Sequence, residues 1–113
     1  MIVILTGVAT EEEVQKASAE YKTYVKVTID IEKEIIAIGG EYHFDAEQRL
    51  LELGSSQEDI WGGGIDLKSK KIDTTAMINV RVRQNYSTEI CDEYARDKFI
   101  KLVKKYLGPY VQE

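Results

Sequence analysis

From Val25 to Ile31 apolar residues fall on every second position, with Lys26, Thr28 and Asp30 between Val25, Val27, Ile29 and Ile31. Alternation with period two predicts a strand buried on one face, and it favours an antiparallel sheet over a parallel one. Glu32-Lys33 predicts a tight connection to a second strand from Glu34 or Ile35. On that strand Ile36, Ile38, Tyr42 and Phe44 share one face, and Ala37, Glu41 and His43 the other. The longest alternation runs from Ile72 to Val82 and predicts a central or full-length strand. Ile2 to Leu5 and Ile65-Asp66-Leu67 read as short strands.

Three segments carry helical spacing instead. Thr10 and Glu13 form a capping box ahead of Val14, Ala17 and Tyr21, predicting a helix from about Glu11 to Tyr21. Asp45 is placed as the N-cap of a short second helix, with Gln48 closing the box, Leu50, Leu51 and Leu53 apolar, and Gly54 past its end. The last helix is expected from about Glu89 to Leu107, with Cys91, Ala95, Phe99, Leu102, Val103 and Tyr106 on one side and Gly108-Pro109 as its stop. The order β-α-β-β-α-β-β-α predicts an α+β domain, a mostly antiparallel sheet of about four to five strands with helices packed on one face.

Length and charge narrow the class. Residues 1–113 read as one domain, of a size that buries about two-thirds of the surface its unfolded chain exposes. The single cysteine, Cys91, leaves no internal disulfide and no CxxC zinc site. No apolar run reaches the roughly 20 residues of a membrane helix, and Met-Ile-Val-Ile-Leu lacks the basic start of a signal peptide, so a cytoplasmic protein without a membrane partner is expected. The net charge of −5 comes from acidic and basic residues mixed along the chain, which argues against the basic face that nucleic acid needs.

Candidate chemistry gathers between Gly39 and Leu67, which hold the only His, the only Trp and six of the eight Gly. If Gly40 to Asp45 is extended, Glu41, His43 and Asp45 point to one side with roughly 6.5–7 Å between successive side chains. An imidazole with two carboxylates suits zinc, manganese or iron(II), and Asp66 could complete a set of His43, Glu41, Asp45 and Asp66. No cofactor is predicted beyond that optional divalent metal. The structural alternative is equally direct: Asp45 caps a helix, and a lone His beside a hairpin bonds a neighbour. Asn79, Arg81 and Arg83 project from one face of the long strand, and if Glu41, His43 and Asp66 share that face, the sheet floor could orient a small anion or hold a general base at His43. Gly62-Gly63-Gly64 is no phosphate loop, since no Gly-Lys-Ser or Gly-Lys-Thr follows; its expected role is to let the chain bend. Trp61 reads as a core anchor or a pocket wall.

The combination Gly39-Gly40-Glu41, His43, Asp45, Glu47, Leu50-Leu51, Gly54-Ser55, Gln57, Asp59 and Trp61-Gly62, followed by Ile78-Asn79-Val80-Arg81, resembles a family of small prokaryotic proteins known only as a domain of unknown function. The resemblance spans roughly the middle half of the chain. It departs at Val82, where members often carry Pro, and at Gly63-Gly64. It implies no activity, but it does imply that Glu41, His43, Asp45, Gln57, Asp59, Trp61, Asn79 and Arg81 belong together.

Three functions follow from this pattern. The first is a small-ligand or anion-binding domain using Glu41, His43, Gln57, Asp59, Trp61, Asp66, Asn79 and Arg81. The second is a metal-dependent hydrolase built on His43 and the neighbouring carboxylates. The third is a structural homodimer with no small-molecule site.

Overall fold

The computed structural model describes residues 1–112 and is an α+β fold, an open antiparallel sheet of five strands with three α-helices. The strands are β1 (Val3–Ile4), β2 (Tyr24–Asp30), β3 (Ile35–Ile38), β4 (Ile60–Asp66) and β5 (Ile72–Asp73), in the spatial order β1-β3-β2-β4-β5. The helices are α1 (Glu11–Ala17), α2 (His43–Glu52) and α3 (Glu93–Leu107). No helix among the described residues is long and apolar enough to cross a membrane.

Strand β2 is the axis of the sheet. It pairs with β4 along its whole length, Tyr24 with Asp66 through Asp30 with Ile60, and with β3 from Val27–Ile38 to Asp30–Ile35. The β2–β3 turn closes through Asp30, whose Oδ1 accepts the backbone N–H of Glu32 and of Lys33, as Glu32-Lys33 predicted. Because β3 and β4 both run against β2, they run parallel to each other, and α2 must cross β2 to join them.

That crossover places helices on both faces of the sheet rather than on one. Val25, Val27, Ile29, Ile36, Ile38 and Ile65 form one core with α1 and α3, through Val14, Ala17, Ala95, Phe99, Leu102 and Val103. On the other face Ala46 and Leu50 of α2 pack with Ala37 and Ile60. The alternation in β2 had marked Thr28 and Asp30 as wet, yet both are fully buried beneath this second layer. A polar residue in alternation marks which side of a strand it lies on, and says nothing about what covers that side.

Two glycine stretches correct the expected course. Gly39 and Gly40 take φ of 88° and 96°, a region that residues with a Cβ rarely enter, so β3 ends at Ile38 instead of continuing to Phe44. A Cβ on Gly39 would also lie 2.1 Å from the Met1 carbonyl. The helix then starts at His43, with Tyr42 as N-cap, and Asp45 sits inside its first turn rather than capping it. The second stretch, Gly62-Gly63-Gly64, is not a bend but the middle of β4, where the missing side chains let both layers approach the strand.

The long strand expected from Ile72 to Val82 stops after Asp73. Beyond it come a lone bridge from Thr75 to Glu89, a 3-10 turn at Met77–Asn79 and a tight turn closed by Arg81 and Asn85. The reason is Asn79, which takes the place of the missing strand: the Gly62 N–H donates to Oδ1 at 2.9 Å, and Nδ2 donates to the Gly62 and Thr88 carbonyls, each at 2.9 Å. Asn85 organises the rest of the segment, donating from Nδ2 to the carbonyls of Asn79, Ser87 and Glu89 and accepting the Cys91 N–H. These contacts hold residues 89–91 outside the helix, so α3 begins later than expected, capped by Asp92, and Cys91 is exposed instead of packed. Helix α1 keeps its Thr10–Glu13 capping box but ends at Ala17, short of Tyr21, whose hydroxyl donates to the Glu41 carbonyl.

Candidate functional site

Helix α2 covers only part of its face. It begins over Gly62, where the His43 ring would meet an added Cβ at 3.0 Å, and it runs towards Ile60 and Ala37. Tyr24, Lys26 and Gly64 lie beyond its start. There the sheet, residues 42–44 and residues 73–78 enclose a cleft of about 460 Å³. Small-molecule sites occupy roughly 300–1,000 Å³.

The floor is set by Gly64 and Tyr24. A Cβ on Gly64 would lie 2.1 Å from the Tyr24 hydroxyl oxygen, so only glycine lets the phenol lie flat on the strand. That hydroxyl donates to Asp73 Oδ2 at 2.9 Å, while Asp73 Oδ1 accepts from the Thr75 N–H at 3.0 Å and from its hydroxyl at 2.6 Å. Burial, reinforced by Asp73, pushes the Tyr24 phenol well above its ordinary range, so it stays a donor. Lys26 stands beside it with its ammonium 4.8 Å from the Tyr21 ring centre and 5.8 Å from that of Tyr24. It forms no ion pair among the described residues. Tyr42, Phe44 and Met77 line the same cleft and are 61%, 58% and 76% exposed, an unusual concentration of apolar surface in water.

His43 is the one candidate from the sequence that lies in this cleft. Its Nε2 is 2.6 Å from the Gly63 carbonyl oxygen, which can only accept, so the proton sits on Nε2 and the lone pair on Nδ1. Burial holds the imidazole below its ordinary value near 6.5, and Lys26 adds to that, against the Gly63 carbonyl bond and Asp73. A folded-state value below the unfolded one means that the unfolded chain takes up the proton first as pH falls. The His43 contribution to stability is therefore complete above about pH 6.5 and is lost as pH falls from there towards the folded value. Following the imidazole Cε1 proton by NMR should give a titration midpoint below 6.5, and urea midpoints should fall over that same window in the native protein but not in His43→Gln; a midpoint at or above 6.5 would contradict this placement.

The other candidates are drawn into different structures. Arg81 stacks on Trp61, 4.3 Å from the ring centre, and donates from Nε to the Ile78 carbonyl and from Nη1 to the Gln57 carbonyl. Glu47, buried on α2, and Asp59 provide the negative charge around this guanidinium, whose burial lowers its affinity for a proton. Asp59 itself is pushed above the usual carboxylate range by desolvation and by Asp30, Glu58 and Glu32, with Arg81 pulling the other way. Gln57, Asp59, Trp61, Asn79 and Arg81 thus do come together, as a clamp fastening residues 76–86 to the edge of β4. Glu47 is not among the residues that the resemblance implies belong together, yet it is buried beside this guanidinium.

Glu41, Asp45 and Asp66 do not join His43. Glu41 and Asp45 are exposed on either side of the helix start, and the extended geometry that would have aligned them with His43 is not formed. Asp66 closes the following turn, accepting the Lys68 and Ser69 N–H groups, and those bonds lower its carboxyl. Among the described residues no three His, Cys, Asp or Glu side chains are grouped so as to hold a metal ion.

The residues that sequence reasoning missed are Tyr24, Lys26, Asp73, Thr75 and Met77. A signal was present, since Tyr24 and Lys26 occupy the polar parity of β2. Selecting them required knowing that β4 pairs beside β2 and where α2 starts. Neither a curated protein nor a solved structure matches this chain. A family model, described as "Protein of unknown function (DUF5674)", matches residues 3–106, and the chain belongs to that family.

Proposed function

We propose that the cleft between the start of α2 and residues 73–78 binds a small molecule carrying a negative charge. The observation that carries this reading is Lys26, a cation on the cleft floor with aromatic neighbours and no acidic partner among the described residues. A lysine with its donors free beside a low-dielectric wall is a ready counter-charge for an anion. Next to it the N-cap of α2, Tyr42, makes no side-chain capping bond, so the first-turn N–H groups add to the same positive field. The Tyr24–Asp73–Thr75 bonds hold the floor rigid, which lowers the ordering cost of binding. A metal-dependent hydrolase draws less support, because Glu41, Asp45 and Asp66 are each placed apart from His43.

The test is an NMR screen of labelled protein against a fragment set of acids, amines and neutral compounds. Acids should dominate the hits, with saturable shifts at Lys26, His43, Thr75 and Ala76 that are lost in Lys26→Gln. Hits that favour amines, or shifts clustered away from these residues, would remove the basis for the proposal.

A further inference from the structure

We infer that the ligand of this cleft is an apolar monocarboxylate, its carboxylate held by Lys26 and its aromatic or branched body seated among Tyr42, Phe44 and Met77. This rests on the reading of the cleft as an anion site and specifies its ligand class.

Charge balance supports a single negative charge. Lys26 is the only Lys or Arg in the lining, and Asp73 lies in the same wall. Three donors satisfy Asp73, from Tyr24 and Thr75, but they leave its charge in place. A phosphate monoester brings about −1.5 to −2 charge at neutral pH, and would set its excess against Asp73 with no second cation to offset it. A carboxylate matches Lys26 one for one. The ammonium also rests against the Tyr21 and Tyr24 rings, which position it without neutralising it.

The rim supports an apolar body. Tyr42, Phe44 and Met77 come from two different segments, the start of α2 and the 3-10 turn after β5, and all hold apolar surface in water around one opening. Removing that surface from water favours any ligand with a ring or branched chain above its carboxylate. Met77, unbranched and polarisable, can adapt to a flat ring. The volume of about 460 Å³ leaves room for a ligand of one ring with a short acid arm.

Three probes with one common body decide the matter: phenylacetate, phenyl phosphate and 2-phenylethanol, titrated into labelled protein and into Lys26→Gln. Phenylacetate should bind on the order of tenfold more tightly than 2-phenylethanol, as a charge-assisted bond implies. It should also raise the His43 titration midpoint, and both effects should vanish in Lys26→Gln, whose unchanged spectrum away from the cleft reports an intact fold. Tighter binding of phenyl phosphate would overturn the monocarboxylate assignment and leave the anion site standing. Equal or tighter binding of 2-phenylethanol would overturn the assignment as well, making the cleft an apolar pocket in which Lys26 plays no part. If none of the three moves the cleft resonances while other acids do, only the ligand class is wrong; if no acid does, both readings fall together.

Discussion

Replacing Asn79 by Ala is expected to cost about 2–6 kcal/mol, because it orphans the buried N–H and C=O of Gly62 together, at about 1–3 kcal/mol for each buried group, while the Thr88 carbonyl loses one donor and keeps the Ala76 N–H. A single domain of this size has only about 5–15 kcal/mol in total, so the variant should be marginally folded. Urea unfolding gives the loss directly, and hydrogen exchange at the Gly62 amide localises it. Asn79→Asp sharpens the test. An ionised carboxylate still accepts the Gly62 N–H but turns lone pairs towards the two carbonyls that Nδ2 had served. A protonated carboxyl can donate to one of them, so the folded state raises the pKa of the new acid. The deficit of Asn79→Asp relative to the native protein should therefore shrink as pH falls through that raised value. A loss below about 1 kcal/mol in both variants, set against the usual range for an orphaned buried group, would mean that Asn79 does not close the edge of β4.

Asn79 also shows why part of this fold was legible and part was not. Local signals held: the Thr10–Glu13 capping box, the alternation of β2 and the Glu32-Lys33 turn all specify structure within a few residues of themselves. Alternation from Ile72 to Val82 failed because it records only polarity. Asn79 counted there as a polar position on one face of a long strand and a candidate for the site floor, yet it is fully buried and bonded to Gly62, seventeen residues away. Nothing in the spacing distinguishes an amide that faces water from one that completes a sheet edge. The candidate site divides in the same way. Of the eight residues that the resemblance grouped, Gln57, Asp59, Trp61, Asn79 and Arg81 lie together and hold a loop, while Glu41, His43 and Asp45 lie elsewhere. His43 alone was carried into the cleft. Lys26 and Asp73 meet there only because Gly64 pairs with both strands, opposite Lys26 on β2 and Asp73 on β5.

Gly63→Ala should be the most damaging of the three alanine substitutions in β4. Its Cβ would lie 2.2 Å from the Asp73 carbonyl oxygen and 2.9 Å from the Phe99 ring. One obstacle is backbone and the other a fully buried side chain, so neither can swing aside. Overpacking costs typically about 1–3 kcal/mol, and the upper end is expected here even after the roughly 0.4–1 kcal/mol that Gly→Ala returns by restricting the unfolded chain. Gly63→Val should not fold. At Gly62 the nearest atoms are the side chains of Ala76, His43 and Ile78, and at Gly64 they belong to the Tyr24 ring, which can swing into the cleft. The order of thermal stability should therefore be native, then the Gly64 and Gly62 variants, then Gly63→Ala. Phe99→Leu, itself destabilising, should recover part of the Gly63→Ala loss in a double-mutant cycle, since it removes one of the two obstacles. The Asp73 carbonyl remains, and β5 is tied to β4 through only two residue pairs, so β5 is the element that gives way. Its displacement would carry Asp73 and Thr75 away from Tyr24, so Gly63→Ala should weaken acid binding at Lys26 although Gly63 itself does not line the cleft. If Gly63→Ala left both stability and binding unchanged, the close approach of β5 to β4 would be wrong, and with it the Asp73–Thr75 wall of the cleft.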